Sequence, residues 1–332
     1  MINNNKFYIE NLKNVVFIGY NPDFSKLINI NNDLQIDSDI ITSSDQSIEI
    51  NHKHIIFDKA GKEFRSYISD NFNIDNTLFI SLGARIIFKK DLIKFLKYNL
   101  INFHDTRLPY DSGGGGFSWR IMREDRINNQ LVHLIDEGID TGPIIDNKLS
   151  IFPSDCKIPI DFENYRQKAF VDFYKGFIQC IKGGENFELK NQVNYVGRYN
   201  PRLSTIDNGY INWQYNPYEL INFINAFDNP YPGAITFLNR GDFGRLHIKS
   251  VQLHGGDSSN HPFMAGIVSR HDKDWIVVST SGKHSLLIQE VINEKGENIL
   301  NEISPGDRFF TPNEYLEKAV SDKIIYTALG KK

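Results

Sequence analysis

Asn102 and His104 stand two residues apart in the run Leu100-Ile101-Asn102-Phe103-His104-Asp105. An extended chain turns alternate side chains to the same face, so a strand here presents both together. An Asn amide can donate to an oxygen that gains negative charge, and an imidazole exchanges protons near neutrality. That is the equipment for attack on a carbonyl. By itself the pair also suits a structural strand end. A second cluster follows at Val132-His133-Leu134-Ile135-Asp136-Glu137-Gly138-Ile139-Asp140-Thr141-Gly142-Pro143. Asp140 lies in a glycine-bounded loop, where it can orient an imidazole and stabilise its protonated form. Asp136 and Asp140 are equally good turn-formers. Between the clusters, Gly113–Gly116 leads into Phe117 and Trp119. A glycine run lets backbone approach a ligand closely, and free N–H groups there bind anions.

His104, Asp105, His133, Asp136 and Asp140 are also metal-ligating types. Strand alternation sends His104 and Asp105 to opposite faces unless the strand ends between them. We therefore expect no metal. Cys156 and Cys180 are too few for a thiolate cage or a disulfide framework.

These loops need a scaffold. Short apolar runs at Asn14–Ile18, His54–Phe57, Thr77–Ile80, Leu100–Phe103 and Gln130–Ile135 read as strands, with helical stretches such as Lys89–Lys97 between them. This alternation predicts an α/β fold, a Rossmann-like, mainly parallel sheet with helices on both faces and its chemistry on the loops after the strands. Tyr165, Ala169, Phe170, Phe173 and Phe177 recur at helical spacing after Pro159 and Asp161, and the pattern stops at Gly183-Gly184. Asn216-Pro217-Tyr218-Glu219 opens a further helix with a capping residue, a first-turn proline and a carboxylate, and Pro230-Tyr231-Pro232-Gly233 ends it. Runs at Ala234–Leu238, Leu246–Leu253, Gly266–Val268, Trp275–Thr280 and Ser285–Val291 predict a small C-terminal antiparallel β-barrel, OB-like in kind. The linear division is 1–183, a linker 184–205, and 206–332.

At 332 residues the chain has room for about two domains. It is 40% hydrophobic and 23% charged, within the globular range. No early run approaches the ~18 apolar residues of a membrane span, and no cationic stretch leads an apolar core at the start. A cytoplasmic protein without a membrane partner is expected. The net charge of −4 argues against a nucleic-acid partner. From Ile206 to Lys332 there are 12 Lys and Arg against 15 Asp and Glu, and no basic insertion precedes them. A homodimer is left open.

Together the segments resemble the folate-dependent formyltransferase family. Asn102-Phe103-His104, Leu108-Pro109, the loop from Gly113, and Asp136-Glu137-Gly138-Ile139-Asp140-Thr141-Gly142 match its motifs in order, with His104 and Asp140 separated by 36 positions. Ser81-Leu82-Gly83-Ala84-Arg85-Ile86-Ile87 resembles the loop whose backbone binds the pterin. Tyr195-Val196-Gly197-Arg198-Tyr199, Ile206-Asp207, Ile211-Asn212-Trp213, Pro230–Ala234 and Gly306-Asp307-Arg308-Phe309 are similar to later family elements. One departure is Ser112, where the family has Arg before its first loop glycine.

The resemblance implies a co-substrate, N10-formyltetrahydrofolate, and transfer of its formyl group to a primary amine. It implies catalytic roles for Asn102 as oxyanion donor, His104 as proton acceptor or stabiliser of the tetrahedral intermediate, and Asp140 as its orienting and relaying partner. It assigns the co-substrate to Leu82, Gly83, Ala84, Arg85, Ile86, Ile139 and Asp140. Gly113, Gly114, Gly115, Phe117 and Trp119 would meet the acceptor. The segments around Gly197-Arg198, Asp207, Trp213 and Pro232-Gly233-Ala234 look like the branch that formylates nucleotide-linked amino sugars for bacterial surface polysaccharide, including lipopolysaccharide. The expected acceptor is such a nucleotide sugar, with methionyl-tRNA as the alternative. Which sugar, amine position and nucleotide is open.

Overall fold

A computed structural model describes residues 2–3, 5–193, 197–241, 243–256, 259–327 and 330–331. Tyr195 and Val196 of the family-like segment lie outside the described residues. The backbone forms two compact units. The first comprises Met1–Ser112, Ile127–Ile151 and Tyr165–Tyr199, and the second Gly113–Arg126, Phe152–Asn164 and Asn200–Lys332. They differ from a division into contiguous blocks because two short excursions, 113–126 and 152–164, group with the C-terminal residues.

The first unit is a seven-stranded sheet. Its strands are β1 (Asn14–Gly19), β2 (Asp37–Thr42), β3 (Ile55–Ile56), β4 (Thr77–Leu82), β5 (Leu100–His104), β6 (Ile127–Leu134) and β7 (Ile144–Ile151), in spatial order β7-β6-β5-β4-β1-β2-β3. Pairing is parallel from β5 through β3, while the β5–β6 and β6–β7 pairs are antiparallel. The central strands β1 and β4 carry near-continuous buried runs because both faces are covered. On one face Val15, Phe17, Leu78, Ile80, Ile101 and Phe103 pack against α1 (Phe24–Asp33) and the long helix α5 (Pro159–Lys182). Phe103 meets the rings of Phe170, Phe173, Tyr174 and Phe177 at 5.5–5.8 Å between centroids. Each such buried ring contributes about 1.5–3 kcal/mol. Phe170, Phe173 and Phe177 are among the side chains whose helical spacing marks α5 in the sequence. On the other face Val16, Ile18, Phe79 and Leu100 pack with residues of α2 (Lys62–Asn71) and α3 (Lys90–Phe95).

The second unit is built on a curled antiparallel sheet. Its strands are β8 (Ala234–Leu238), β9 (Leu246–Gly255), β10 (Val268–Asp272), β11 (Trp275–Val278), β12 (His284–Ile292) and β13 (Phe309–Phe310), in the order β10-β11-β12-β9-β8-β13. The sheet forms a half-barrel whose edges touch, since Val268 N–H donates to Asp307 O and Phe309 N–H to Gly266 O, each at 2.8 Å. Short helix α4 (Gly116–Met122) packs here on α6 (Pro217–Ala226), with the Ser118 hydroxyl donating to Ala226 O at 2.7 Å. The start of α6 is a complete capping box: Asn216 accepts from the N–H groups of Tyr218 and Glu219, and Glu219 accepts from the N–H of Asn216. Among the described residues no helix is long and apolar enough to cross a membrane.

Candidate active site

Strand β5 delivers Asn102 and His104 to the sheet face that carries α2 and α3, while its alternate residues Ile101 and Phe103 enter the opposite core. Register then assembles the neighbours. Asn102 stands opposite Ser81 of β4 on one side and His133 of β6 on the other. The buried His133 lies with its Nδ1 2.7 Å from Leu134 O. A carbonyl only accepts, so Nδ1 carries the hydrogen in the neutral ring. Nε2 is then the acceptor for the Asn102 Nδ2 amide at 3.2 Å. This bond fixes the Asn102 side chain and leaves its second amide hydrogen for a ligand.

Asp140 arrives by an indirect path. Because β6 is antiparallel to β5, its end at Leu134 lies beside Ile101. The loop 135–143 therefore starts away from the carboxyl end of β5 and folds back. Asp136 turns it, accepting from Gly138 N–H at 3.0 Å and from the Thr141 hydroxyl at 2.6 Å. Gln192 Nε2 donates to Asp140 O at 2.9 Å and to Gly142 O at 2.7 Å. Gly142 is pressed against β6 so closely that a Cβ there would sit 1.8 Å from Leu134 O. Asp140 itself adopts φ of +56°, an uncommon conformation for a side chain-bearing residue.

In that pose Asp140 Oδ2 is 3.9 Å from His104 Nε2, and Oδ1 is 3.7 Å from His133 Nε2. Both distances lie beyond hydrogen-bond reach. His133 first, and then the His104 imidazole, hold the Asp140 carboxyl below its ordinary range, against burial, which pushes it upward. Asp136 is the turn-former of the two and Asp140 is the one aimed at imidazoles.

The group opens on a cleft of about 400 Å³. Of the residues singled out in the sequence, Gly83, Ala84, Ile86 and Ile139 line it with Asn102, His104 and Asp140. Leu82 and Arg85 do not. Leu82 is buried in the core on the other sheet face, and Arg85 points to Asp45 at 3.6 Å beside a different cavity. Ile87, Phe88 and Ile135 join the lining instead. His104 also borders a smaller space of about 130 Å³ with Tyr20, Gln130 and Arg166. Asp105 lies there too, paired to Arg166 Nε at 3.0 Å, while His104 Nε2 also faces Asp140. Among the described residues no group of three or more His, Cys, Asp or Glu side chains could hold a metal ion.

The glycine run belongs to the second unit from Gly113 on. The Gly114 N–H already donates to Asn200 O at 2.7 Å, and the Phe117 ring packs against Phe152 and Phe162 at 5.9 and 5.5 Å. Gly113 ends a short strand, and Gly115 precedes α4 in the left-handed conformation. Trp119 donates from Nε1 to Pro201 O at 2.7 Å and lines a cavity of about 770 Å³ with Tyr210, Tyr215 and Phe223. Gln192 gave no local signal in the sequence, since its role depends on a loop 50 residues away.

Residues 204–302 match the formyl transferase, C-terminal domain, family model. That stretch, and the chain's relatives, are similar to formyltransferases. A methionyl-tRNA formyltransferase of Clostridium perfringens is 24% identical over 227 residues, 67% of each chain. Among solved structures, an N-formyltransferase of Helicobacter canadensis, in complex with folinic acid and dTDP-3-aminofucose, aligns with a TM-score of 0.60 at 19% identity, covering 84% of this chain and 99% of that one. A 4-N formyltransferase of Francisella tularensis aligns at 0.52 and 20% identity, over 68% of this chain and 93% of its own.

Proposed function

We propose that this formyltransferase moves a formyl group from N10-formyltetrahydrofolate to the primary amine of a nucleotide-linked amino sugar, in the assembly of a surface polysaccharide. The observation that carries the reaction is the convergence of Asn102, His104 and Asp140 from a strand and a folded-back loop at one end of the cleft. The cleft suits a flat heteroaromatic donor. Its walls are apolar at Ile86, Ile87 and Ile139, the last two 80% and 90% exposed, while its inner end is polar. The donor supplies, when bound, the formyl carbon that the amine attacks.

The chain's own groups divide the rest. Asn102 Nδ2, held by His133, aims its remaining hydrogen at the formyl oxygen as that oxygen gains charge. His104 Nε2 takes the proton that the attacking amine must lose. Asp140 Oδ2 holds the resulting imidazolium in place and receives the proton in turn. The acceptor reading is supported by the nucleotide-sugar ligand of the Helicobacter canadensis enzyme and by the net negative charge of residues 206–332, unsuited to tRNA phosphates.

The test is to incubate purified protein and N10-formyltetrahydrofolate with a panel of amino-sugar nucleotides and with methionyl-tRNA, reading products by mass. Formylation of at least one sugar and none of the tRNA is expected. Formylated tRNA with every sugar untouched overturns the acceptor and leaves the reaction standing.

A further inference from the structure

His104 borders two spaces. The donor cleft lies on the side of the sheet that carries α2 and α3, with Ile86 of that core in its wall. The smaller space of about 130 Å³ lies on the side of α1 and α5, where Phe103 and Phe170 of the other core line it. His104 and Gly83 line both, so the two meet at the carboxyl edge of the sheet. With a donor in the first, the second is the approach to His104 that this unit leaves. Sites for whole small molecules measure about 300 Å³ or more, so this space takes one edge of an acceptor.

Its polar wall is built from Asp105, Gln130 and Arg166. Asp105 Oδ2 lies 3.0 Å from Arg166 Nε, so the two charges cancel. A neutral pair selects neither a phosphate nor an ammonium group. It sets acceptor and donor side by side, the arrangement that suits a hydroxyl, which is both. A carboxylate has about four acceptor sites and a guanidinium five donors, so bonds already made leave capacity for a ligand. Gln130, buried in β6, adds an amide of the same double character.

We infer that Asp105 and Arg166 select acceptors with a hydroxyl on the carbon next to the amine. The amine faces His104 and its neighbour enters the space. The inference rests on the amino-sugar acceptor proposed above and narrows it to vicinal amino alcohols. Asp105 and Arg166 set specificity and transfer no proton. A hydrogen bond to a charged group is worth about 10- to 100-fold in binding, and partial exposure of this pair reduces that to roughly 5- to 30-fold.

The experiment measures kcat/KM at saturating N10-formyltetrahydrofolate. Its probes are dTDP- and UDP-linked 3-amino and 4-amino 6-deoxyhexoses, each beside analogues lacking one hydroxyl next to the amine. The native protein should favour a hydroxylated acceptor over its deoxy analogue by that factor. In Asp105→Asn and in Arg166→Gln the ratio should fall toward one. Equal kcat/KM for every such pair in the native protein overturns the inference and leaves the amino-sugar acceptor standing. A native ratio that persists in both variants, folded by circular dichroism, also overturns it, because another group then reads the hydroxyl. Formylation of none of these sugars overturns the acceptor reading on which the inference rests. Should either variant not fold, Arg166→Lys, which keeps the charge and gives up the planar fork, is read in the same way.

Discussion

Asp140→Asn removes the charge that faces His104 and keeps the side chain's shape. At the observed 3.9 Å, a full charge pair is worth about 4 kcal/mol at an effective dielectric of ~20 and about 1 kcal/mol in water. The two side chains are 28% and 35% exposed, so screening brings the stabilisation of a His104 imidazolium to about 1–2 kcal/mol. If that imidazolium forms in the transition state, kcat falls about 5- to 30-fold. The assay is single-turnover formyl transfer at saturating acceptor, with circular dichroism to confirm the fold. A rate within about two-fold of native refutes the charge role. A loss beyond about a thousand-fold shows that proton relay through the carboxylate outweighs its field. The same variant has a pH signature. Folding lowers the Asp140 pKa, so its carboxylate form contributes stability above the ordinary carboxylate range and loses it as pH falls through the folded value. The gap in Tm between the native protein and the Asp140→Asn variant should accordingly narrow on acidification; a gap that widens refutes the assignment.

Two further outcomes follow from the geometry. Asn102→Ala should cost about 10²–10³ in kcat with little change in folate affinity, because its amide serves the charged oxygen rather than the bound donor; an unchanged kcat in a folded variant removes it from the site. Gly142→Ala drives a methyl group into Leu134 O, so loop 135–143 must shift, at about 1–3 kcal/mol of stability, and carry Asp140 off its imidazoles; native Tm and native rate together would show the loop has slack the structure does not display.

Local periodicity was enough for much of the frame. The apolar spacing from Tyr165 to Phe177 marked α5 because the rings at 170, 173 and 177 meet the sheet, and Asn216-Pro217-Tyr218-Glu219 named a helix start because capping is a local bond pattern. The shared face of Asn102 and His104 followed from strand alternation alone. What local pattern could not carry was order across the sheet. Nothing near Gln130–Ile135 says that β6 runs antiparallel to β5, so the path by which Asp140 reaches His104 stayed hidden, as did the pairing of His133 with Asn102. Phe117 looked available to a ligand for a similar reason. Its partners, Phe152 and Phe162, are distant in sequence. Arg85 sits within the family-like loop but alternates away from the cleft toward Asp45.

The interleaving of the two units has a consequence for how the protein can be made or cut. The proposed catalytic residues Asn102, His104 and Asp140 all belong to the first unit, which suggests it as a minimal enzyme. Yet the polypeptide crosses from one unit to the other at 112/113, 126/127, 151/152, 164/165 and 199/200. A chain ending at Tyr199 keeps 113–126 and 152–164 but loses the rest of their unit, including Ala226, which accepts from Ser118, and Pro201, which accepts from Trp119. During synthesis those two excursions leave the ribosome well before the C-terminal residues they join. Their aromatic trio of Phe117, Phe152 and Phe162 has to wait for its surroundings. The first unit is thus a domain in space without being a severable length of chain.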